Sequence, residues 1–241
     1  MPMSRPRIIA HRGASAAAPE SSRAAIRGAA LAGADMIELD VQMTRDGRLV
    51  VFHDDRLERT TDGSGRVTRL RYAQIARLDA GCWFHPRFAG ERVLLLSQAL
   101  WLIPRRMRIN LELKATAVPA ALLRRFIRVV RRAGVGRRLL VSSFDSALLQ
   151  RLGRARLARA LICRSQPDRA LRTAVRLGCK AWHPAEALVT PRRVDRAHAA
   201  GLRVHVWTVD GIRRARRLAR WGVDGIFTND PARLVRALRA R

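Results

Sequence analysis

The sequence predicts an α/β fold, a parallel (β/α)8 TIM barrel, from three observations. Short β-rich apolar segments alternate with longer segments whose apolar residues have helical spacing. Eight such strands fit into 241 residues, a length typical of one barrel domain. Apolar residues make up 48% of the chain, which is enough for a large core. We therefore expect a single domain over residues 1–241.

The predicted barrel strands recur along the whole chain, and helical patterns separate most of them. The strands are expected at residues 7–11, 36–41, 108–113, 139–143, 160–164, 181–183, 203–208 and 225–228. Because each helix returns the chain to the start of the next strand, we expect all eight strands to be parallel.

One segment interrupts this alternation. Asp46-Gly47 is a strong hairpin signal, so residues 49–53 are expected to pair antiparallel with the second strand. A turn centred between these two residues would place Asp40 opposite His53. Residues 54–92 then form a connection too long for an ordinary βα loop, and they contain aromatic residues. We expect a small inserted lobe there, over the barrel mouth.

The formal net charge is +29, and 46 of the 48 basic residues are arginine. Such a charge attracts polyanions, so a nucleic-acid or membrane-surface partner is one interpretation. The other is a biased base composition that places arginine at ordinary surface positions. The arginines are scattered, and the chain has one tyrosine and no interleaved aromatics for stacking on bases. The second interpretation is favoured, with no specific nucleic-acid partner but with attraction for anionic substrates.

The sequence also bears on cellular location. It contains no apolar stretch near the roughly 20 residues of a membrane span, and its start lacks the apolar segment of a signal peptide. Its three cysteines are widely spaced, which argues against a disulfide framework or a zinc ribbon. We expect a cytoplasmic protein; the sequence does not indicate an oligomeric state.

Carboxylates stand at the ends of two predicted strands. Glu38 and Asp40 are two residues apart, so both side chains point to one face, and Glu112 and Lys114 repeat that arrangement. Three carboxylates at a barrel mouth would repel one another unless a cation lies among them, and their hard oxygens suit Mg²⁺ or Ca²⁺. The alternative is that they pair with local arginines on a solvated edge.

Two histidines are expected beside these carboxylates. His11 ends the first strand and His53 follows the hairpin. A single histidine at either position would more often be structural. Two imidazoles at adjacent strand ends, next to carboxylates, favour general acid–base chemistry.

The chain resembles the glycerophosphodiester phosphodiesterase family, within the phosphatidylinositol phospholipase C-like group of barrels. The resemblance covers nearly the whole length. It lies in motifs that include His11-Arg12-Gly13, Pro19-Glu20, Glu38-Leu39-Asp40, Phe52-His53-Asp54, Asn110-Leu111-Glu112-Leu113-Lys114, Val206-Trp207-Thr208 and Phe227-Thr228-Asn229.

The resemblance implies a role for each matching residue. Glu38, Asp40 and Glu112 match the ligands of one divalent cation, Mg²⁺ or Ca²⁺, and His11 and His53 match the general acid–base pair. Arg12 and Lys114 match the groups that hold the phosphate, while Glu20 and Trp207 match positions at the glycerol end of the substrate.

The implied activity is hydrolysis of small-molecule glycerophosphodiesters to sn-glycerol 3-phosphate and an alcohol. One alternative is a lysophospholipase D-type enzyme of the same fold, with weak contact to anionic membranes. Another is a basic nucleic-acid-binding protein on a decayed barrel, which the intact carboxylates and histidines argue against. The chain departs from the family pattern at Ser21-Ser22, Leu94-Leu95 and Asp210, so the alcohol group is left open.

Overall fold

The computed structural model of the chain describes residues 5–114 and 120–239, which contain nine strands and nine α-helices. The strands are β1 Arg7–His11, β2 Met36–Met43, β3 Leu49–Val51, β4 Arg108–Leu113, β5 Leu139–Ser143, β6 Arg159–Cys163, β7 Ala181–Pro184, β8 Arg203–Val206 and β9 Gly225–Thr228. The helices are α1 Arg23–Leu31, α2 Tyr72–Ile75, α3 Leu96–Leu102, α4 Ala120–Arg132, α5 Ser146–Gly153, α6 Pro167–Arg176, α7 Pro191–Ala199, α8 Ile212–Arg220 and α9 Pro231–Arg239.

Eight of the strands form a closed parallel barrel, which confirms the predicted fold. The strand order around the barrel is β1, β2, β4, β5, β6, β7, β8 and β9, and β1 pairs with both β2 and β9. Predicted and observed strand ends agree to within two residues. In such barrels the C-terminal strand ends and the loops that follow them form the face used for chemistry.

Strand alternation separates two cores. On β2, Leu39 and Val41 pack outwards against the helices, in a large core that surrounds the barrel. Inside the barrel, Ile9, Met36 and Phe227 form a smaller apolar cluster. Glu38 and Asp40 alternate with Leu39 and Val41 along β2, so their side chains point into the barrel. Both carboxylates are therefore buried.

The hairpin forms as predicted, but its register is shifted by one residue. Val41 lies opposite Val51, so Asp40 aligns with Phe52, whose N–H donates to the Asp40 carbonyl at 3.1 Å. The loop has three residues because Gly47, at φ +75°, follows the turn and forms a bulge. The predicted pairing of Asp40 with His53 is therefore wrong.

The segment predicted as a lobe gathers around a small core of its own. Leu57, Val67 and Ile75 pack there with Phe52 and Val93, which flank the segment. We propose that residues 54–92 form a small lobe inserted into the single barrel domain. Within the described part of the chain, no helix combines the length and the apolar character needed to cross a membrane.

Candidate active site

The C-terminal ends of the barrel strands surround a cavity of about 300 Å³. The predicted site residues that line it are His11, Arg12, Glu38, Asp40, His53, Glu112, Lys114 and Trp207. Glu20 lies behind this lining and accepts a hydrogen bond from Arg12 at 3.0 Å. The structure thus brings all nine predicted residues into one region.

Three carboxylates lie together on one side of this cavity. One oxygen each of Glu38, Asp40 and Glu112 lies within 4.8 Å of the others, because β2 and β4 pair with Asp40 beside Glu112. Burial raises the pKa of Glu38 well above its usual value, and the two neighbouring carboxylates raise it further. Burial, together with the charge of Asp40, raises the pKa of Glu112 to about 7. The cluster therefore holds unfavourable negative charge.

Two cations partly compensate this charge. Arg12 Nε lies 3.4 Å from Asp40 Oδ2, and Lys114 Nζ lies 3.4 Å from Asp40 Oδ1 and 3.3 Å from Glu112 Oε1. Burial alone would lower the pKa of Lys114, but Asp40 and Glu112 outweigh it and the net shift is upwards. When all three carboxylates are ionised, the two cations leave one net negative charge. The carboxylates lie inside the barrel, so the alternative of a solvated edge is wrong.

The donor set fits a divalent cation. Glu38 Oε1 and Asp40 Oδ2 are buried and have no hydrogen-bond partner among the described residues. Calcium–oxygen distances of about 2.3–2.6 Å allow ligand oxygens up to about 5 Å apart, which agrees with the spacing of the cluster. Buried carboxylate oxygens that lack a donor are the ligands that such an ion requires.

Arg12 reaches this cluster through an unusual backbone conformation. Its φ is +56°, and its N–H donates to Glu38 Oε2 at 2.9 Å. Gly13 follows at φ +86°, where a Cβ atom would lie 2.7 Å from the backbone of Ala25. Only glycine fits at position 13, which explains the Arg-Gly pair after β1.

His11 is held in one tautomer by a chain of hydrogen bonds. Asn229 Nδ2 donates to Asp210 Oδ2 at 2.8 Å, so the amide oxygen of Asn229 faces His11 Nδ1, also at 2.8 Å. An amide oxygen only accepts, so Nδ1 carries the proton and Nε2 keeps its lone pair. Burial, followed by the charge of Arg12, lowers the pKa of His11.

His53 has a different partner. Its Nδ1 lies 2.5 Å from Asp54 Oδ1, and Asp54 in turn accepts from Arg59. The hydrogen bond from Arg59, assisted by the one from His53, lowers the pKa of Asp54 to about 2. The carboxylate is therefore ionised at neutral pH and orients the ring of His53.

The two residues predicted for the glycerol end occupy separate sides of the mouth. Glu20 is held by Arg12 and Arg59, with Arg59 Nη2 at 2.7 Å. Trp207 donates through Nε1 to the His183 carbonyl at 2.8 Å and meets Phe144 edge-to-face at 5.8 Å. Trp207 thus lines the cavity directly, whereas Glu20 contacts it through Arg12.

Gln42 fixes the segment that carries His53. Its buried amide Nε2 lies within hydrogen-bond distance of three successive carbonyls, those of Phe52 (3.1 Å), His53 (3.1 Å) and Asp54 (2.6 Å). The chain leaves the β2–β3 ladder at this point, so Gln42 replaces the strand partners that these carbonyls lack.

We expect Gln42→Leu to lower both stability and activity. Loss of the buried donor should reduce the free energy of unfolding by roughly 1–3 kcal/mol. If His53 takes part in catalysis, as the sequence predicts, a less fixed ring should lower kcat by about 10-fold or more, because catalytic groups tolerate little displacement. Urea unfolding and steady-state kinetics measure the two effects. Leu218→Ala, in the core at α8, should cost stability but not kcat; an equal loss of kcat in both variants would contradict the positioning role.

Two further histidines lie inside the barrel, and sequence analysis assigned them no function. His205 Nδ1 is 3.1 Å from His183 Nε2, and both rings are fully buried. Burial lowers the pKa of His183 well below its usual value and lowers that of His205 to about 4. Both are therefore neutral in the folded protein at physiological pH.

This pair should make the protein less stable in acid. Between pH 6.5 and about 4 the unfolded chain binds protons that the folded state excludes, so unfolding becomes easier as the pH falls. The slope for one such histidine is about 1.4 kcal/mol per pH unit. Urea unfolding across this range should show a smaller slope for His205→Asn than for the natural protein. Parallel slopes would contradict the assignment.

Several residues of the site were missed by sequence analysis. Asp54, Asn229 and Asp210 orient the two catalytic histidine candidates, and Gln42 positions one of them. Their positions near predicted strand ends could have identified them. Asn229 directly follows β9, and Gln42 follows Asp40 by two residues.

Comparison with known proteins agrees with this geometry. The sequence model of the Glycerophosphoryl diester phosphodiesterase family matches residues 11–233. The chain is 35% identical to a glycerophosphodiester phosphodiesterase of Caldanaerobacter subterraneus subsp. tengcongensis over 236 residues, which covers 96% of this chain and 97% of the relative.

Solved structures give the same result. A phosphodiesterase of Oleispira antarctica, solved in complex with its product sn-glycerol 3-phosphate, has a TM-score of 0.92 and 30% identity, with 98% of each chain covered. A glycerophosphoryl diester phosphodiesterase described as putative, from Silicibacter pomeroyi, has a TM-score of 0.88 and 30% identity, covering 99% of this chain and 94% of its own.

Proposed function

The chain belongs to the glycerophosphoryl diester phosphodiesterase family, and we propose that it hydrolyses glycerophosphodiesters to sn-glycerol 3-phosphate and an alcohol with the help of one divalent cation. It is a phosphoric diester hydrolase by this membership. The observation that carries the finer proposal is that three clustered carboxylates, two of them buried, line the same cavity as two differently held histidines. A cytoplasmic location stays a prediction from the sequence.

Glu38, Asp40 and Glu112 would hold the cation, Mg²⁺ or Ca²⁺. When bound, such an ion polarises phosphoryl oxygens, neutralises charge that develops in the transition state and makes a nearby hydroxyl more acidic. With a divalent ion held there and all three carboxylates ionised, the cluster with Arg12 and Lys114 would carry one net positive charge. A phosphodiester carries one negative charge, so the loaded site is electrostatically complementary to the substrate.

His11 would act as the general base. Its Nε2 keeps a lone pair because Nδ1 donates to Asn229, and its lowered pKa keeps it neutral. In the first stage Nε2 takes the proton of the glycerol 2-hydroxyl, whose oxygen forms a bond to phosphorus. Attack by a group within the substrate has a large entropic advantage, with effective molarities of about 10⁵ M or more in well-oriented cases.

His53 would act as the general acid. Asp54 stabilises the positive charge of the protonated ring and directs the other nitrogen away from itself. The proton of His53 passes to the alcohol oxygen as its bond to phosphorus breaks, which leaves a cyclic phosphate. In the second stage the roles reverse: His53 takes a proton from water, the water oxygen bonds to phosphorus, and His11 protonates the 2-oxygen that leaves.

Product analysis tests the proposal. The protein is incubated with glycerophosphoglycerol, glycerophosphocholine or a lysophospholipid, each with Mg²⁺ or Ca²⁺, and released glycerol 3-phosphate and lysophosphatidate are measured. We expect glycerol 3-phosphate from the glycerophosphodiesters. Release of lysophosphatidate alone would instead establish the lysophospholipase D-type activity.

A further inference from the structure

A second and larger cavity opens directly beside the active site. It measures about 760 Å³ and lies between α5 and α6 where they flank β6. Phe144, Ile162 and Arg164 line both this α5–α6 groove and the active-site cavity, so the two spaces meet at the ends of β5 and β6. The groove therefore borders the cavity that contains the carboxylates.

The groove is strongly basic. Arg164 follows β6, and α6 contributes three arginines at intervals of three and four residues, which places them on one face of the helix. These are Arg169, Arg172 and Arg176. Among the described residues, none of the four arginines pairs with a carboxylate, and no carboxylate lines the groove. Asp168, the acidic residue of α6, is instead engaged by Arg193 and Arg196.

Arg164 stands at the junction of the two spaces. Its guanidinium carbon lies 5.7 Å from the ring centroid of Phe144, within the range of a cation–π interaction. Phe144 in turn packs against Trp207 at the mouth. In the strand register Glu112 aligns with Ser142 and Ser142 with Ala160, so Arg164 lies two strands across from Glu112 and four residues further toward the mouth, a backbone separation of roughly 16 Å.

We propose that the α5–α6 groove binds a second phosphate group of the substrate, so that the enzyme prefers glycerophosphodiesters that carry a further phosphate near the one that is cleaved. The inference rests on the proposed function, because the groove can select a substrate only if the scissile phosphate lies at the carboxylates. Guanidinium groups without carboxylate partners are suited to bind phosphate through paired hydrogen bonds. The same positive charge disfavours alcohols that carry an ammonium group.

Two substrates that differ by one glycerol phosphate unit test this inference. They are glycerophosphoglycerol and 1,3-bis(glycerophospho)glycerol, in which each phosphate can serve as the second phosphate of the other. We expect kcat/KM to be about tenfold higher for the second compound after correction for its two cleavable ends, since a charge-assisted hydrogen bond has about that effect. Glycerophosphocholine should be the poorest substrate of the three.

Charge-matched variants distinguish the groove from the general positive field. Arg164→Gln combined with Arg169→Gln, the two groove arginines nearest the mouth, should bring the ratio of the two kcat/KM values close to one. Arg128→Gln combined with Arg131→Gln removes the same charge from exposed positions on α4 and should keep the natural ratio. A ratio near one in the natural protein, or equal losses in both double variants, would overturn the inference while leaving the proposed function intact. If none of the three compounds is hydrolysed, both this inference and the proposed function are overturned.

Discussion

Replacing Asp40 with asparagine is expected to lower kcat by more than about 100-fold while the fold stays intact. Loss of a residue that only supports a metal ligand typically costs 10–100-fold in affinity or activity, so loss of a ligand should cost more. Without metal, Asp40→Asn should change the free energy of unfolding little. The charge of Asp40 is unfavourable beside Glu38 and Glu112, whose pKa values it raises, but it is favourable beside Arg12 and Lys114, with which it forms ion pairs.

Thermal unfolding with and without Mg²⁺ or Ca²⁺ measures this effect. The natural protein should gain stability from the ion, because an ion that binds only the folded state shifts the equilibrium. Asp40→Asn should gain little. Asp168→Asn, which removes a carboxylate from an ion pair on α6, serves as the control and should retain the full gain. An unchanged response in Asp40→Asn would place the metal elsewhere.

Alanine at either of the two histidines proposed as acid and base, His11 and His53, should lower kcat by about 10²–10⁴, the usual size of a general acid–base contribution. The two variants should differ when the alcohol is p-nitrophenol, which leaves without protonation. The first-turnover release of p-nitrophenol by His53→Ala should then recover most of its rate, because the acid of the first stage is no longer needed. His11→Ala should stay as impaired as before, because the glycerol hydroxyl must still lose its proton.

His198→Ala provides the control, since His198 pairs with Asp224 outside the cavity and should affect neither substrate. Recovery of His11→Ala instead of His53→Ala on the activated substrate would reverse the assignment. Equal impairment of both variants on both substrates would show that the two histidines do not divide the work in this way.

The barrel could be predicted from the sequence because its signals are local. Each strand is a short apolar segment, and the alternation of Glu38 and Asp40 with Leu39 and Val41 fixes which face is buried. The hairpin register could not be predicted in the same way. Asp46-Gly47 fits both a two-residue turn and the observed three-residue loop, and one additional residue moves the partner of Asp40 from His53 to Phe52.

The role of each residue in the site was harder to predict than which residues form the site. The sequence places His11 and His53 near the same carboxylates, but it does not show that one histidine faces an amide and the other a carboxylate. Asn229 is 218 residues away from His11, and only closure of the barrel between β1 and β9 brings them together. The α5–α6 groove was also not predictable, because helical periodicity identifies the buried face of each helix but not the gap between two neighbours.

The central claim is that one divalent cation at Glu38, Asp40 and Glu112 is required to convert a glycerophosphodiester to glycerol 3-phosphate. The most direct measurement is release of glycerol 3-phosphate from glycerophosphoglycerol in excess chelator, followed by titration with Mg²⁺ or Ca²⁺. We expect no release in chelator and full recovery as the free ion is restored, with no recovery for Asp40→Asn. Full turnover in excess chelator by protein that contains no metal would contradict the claim.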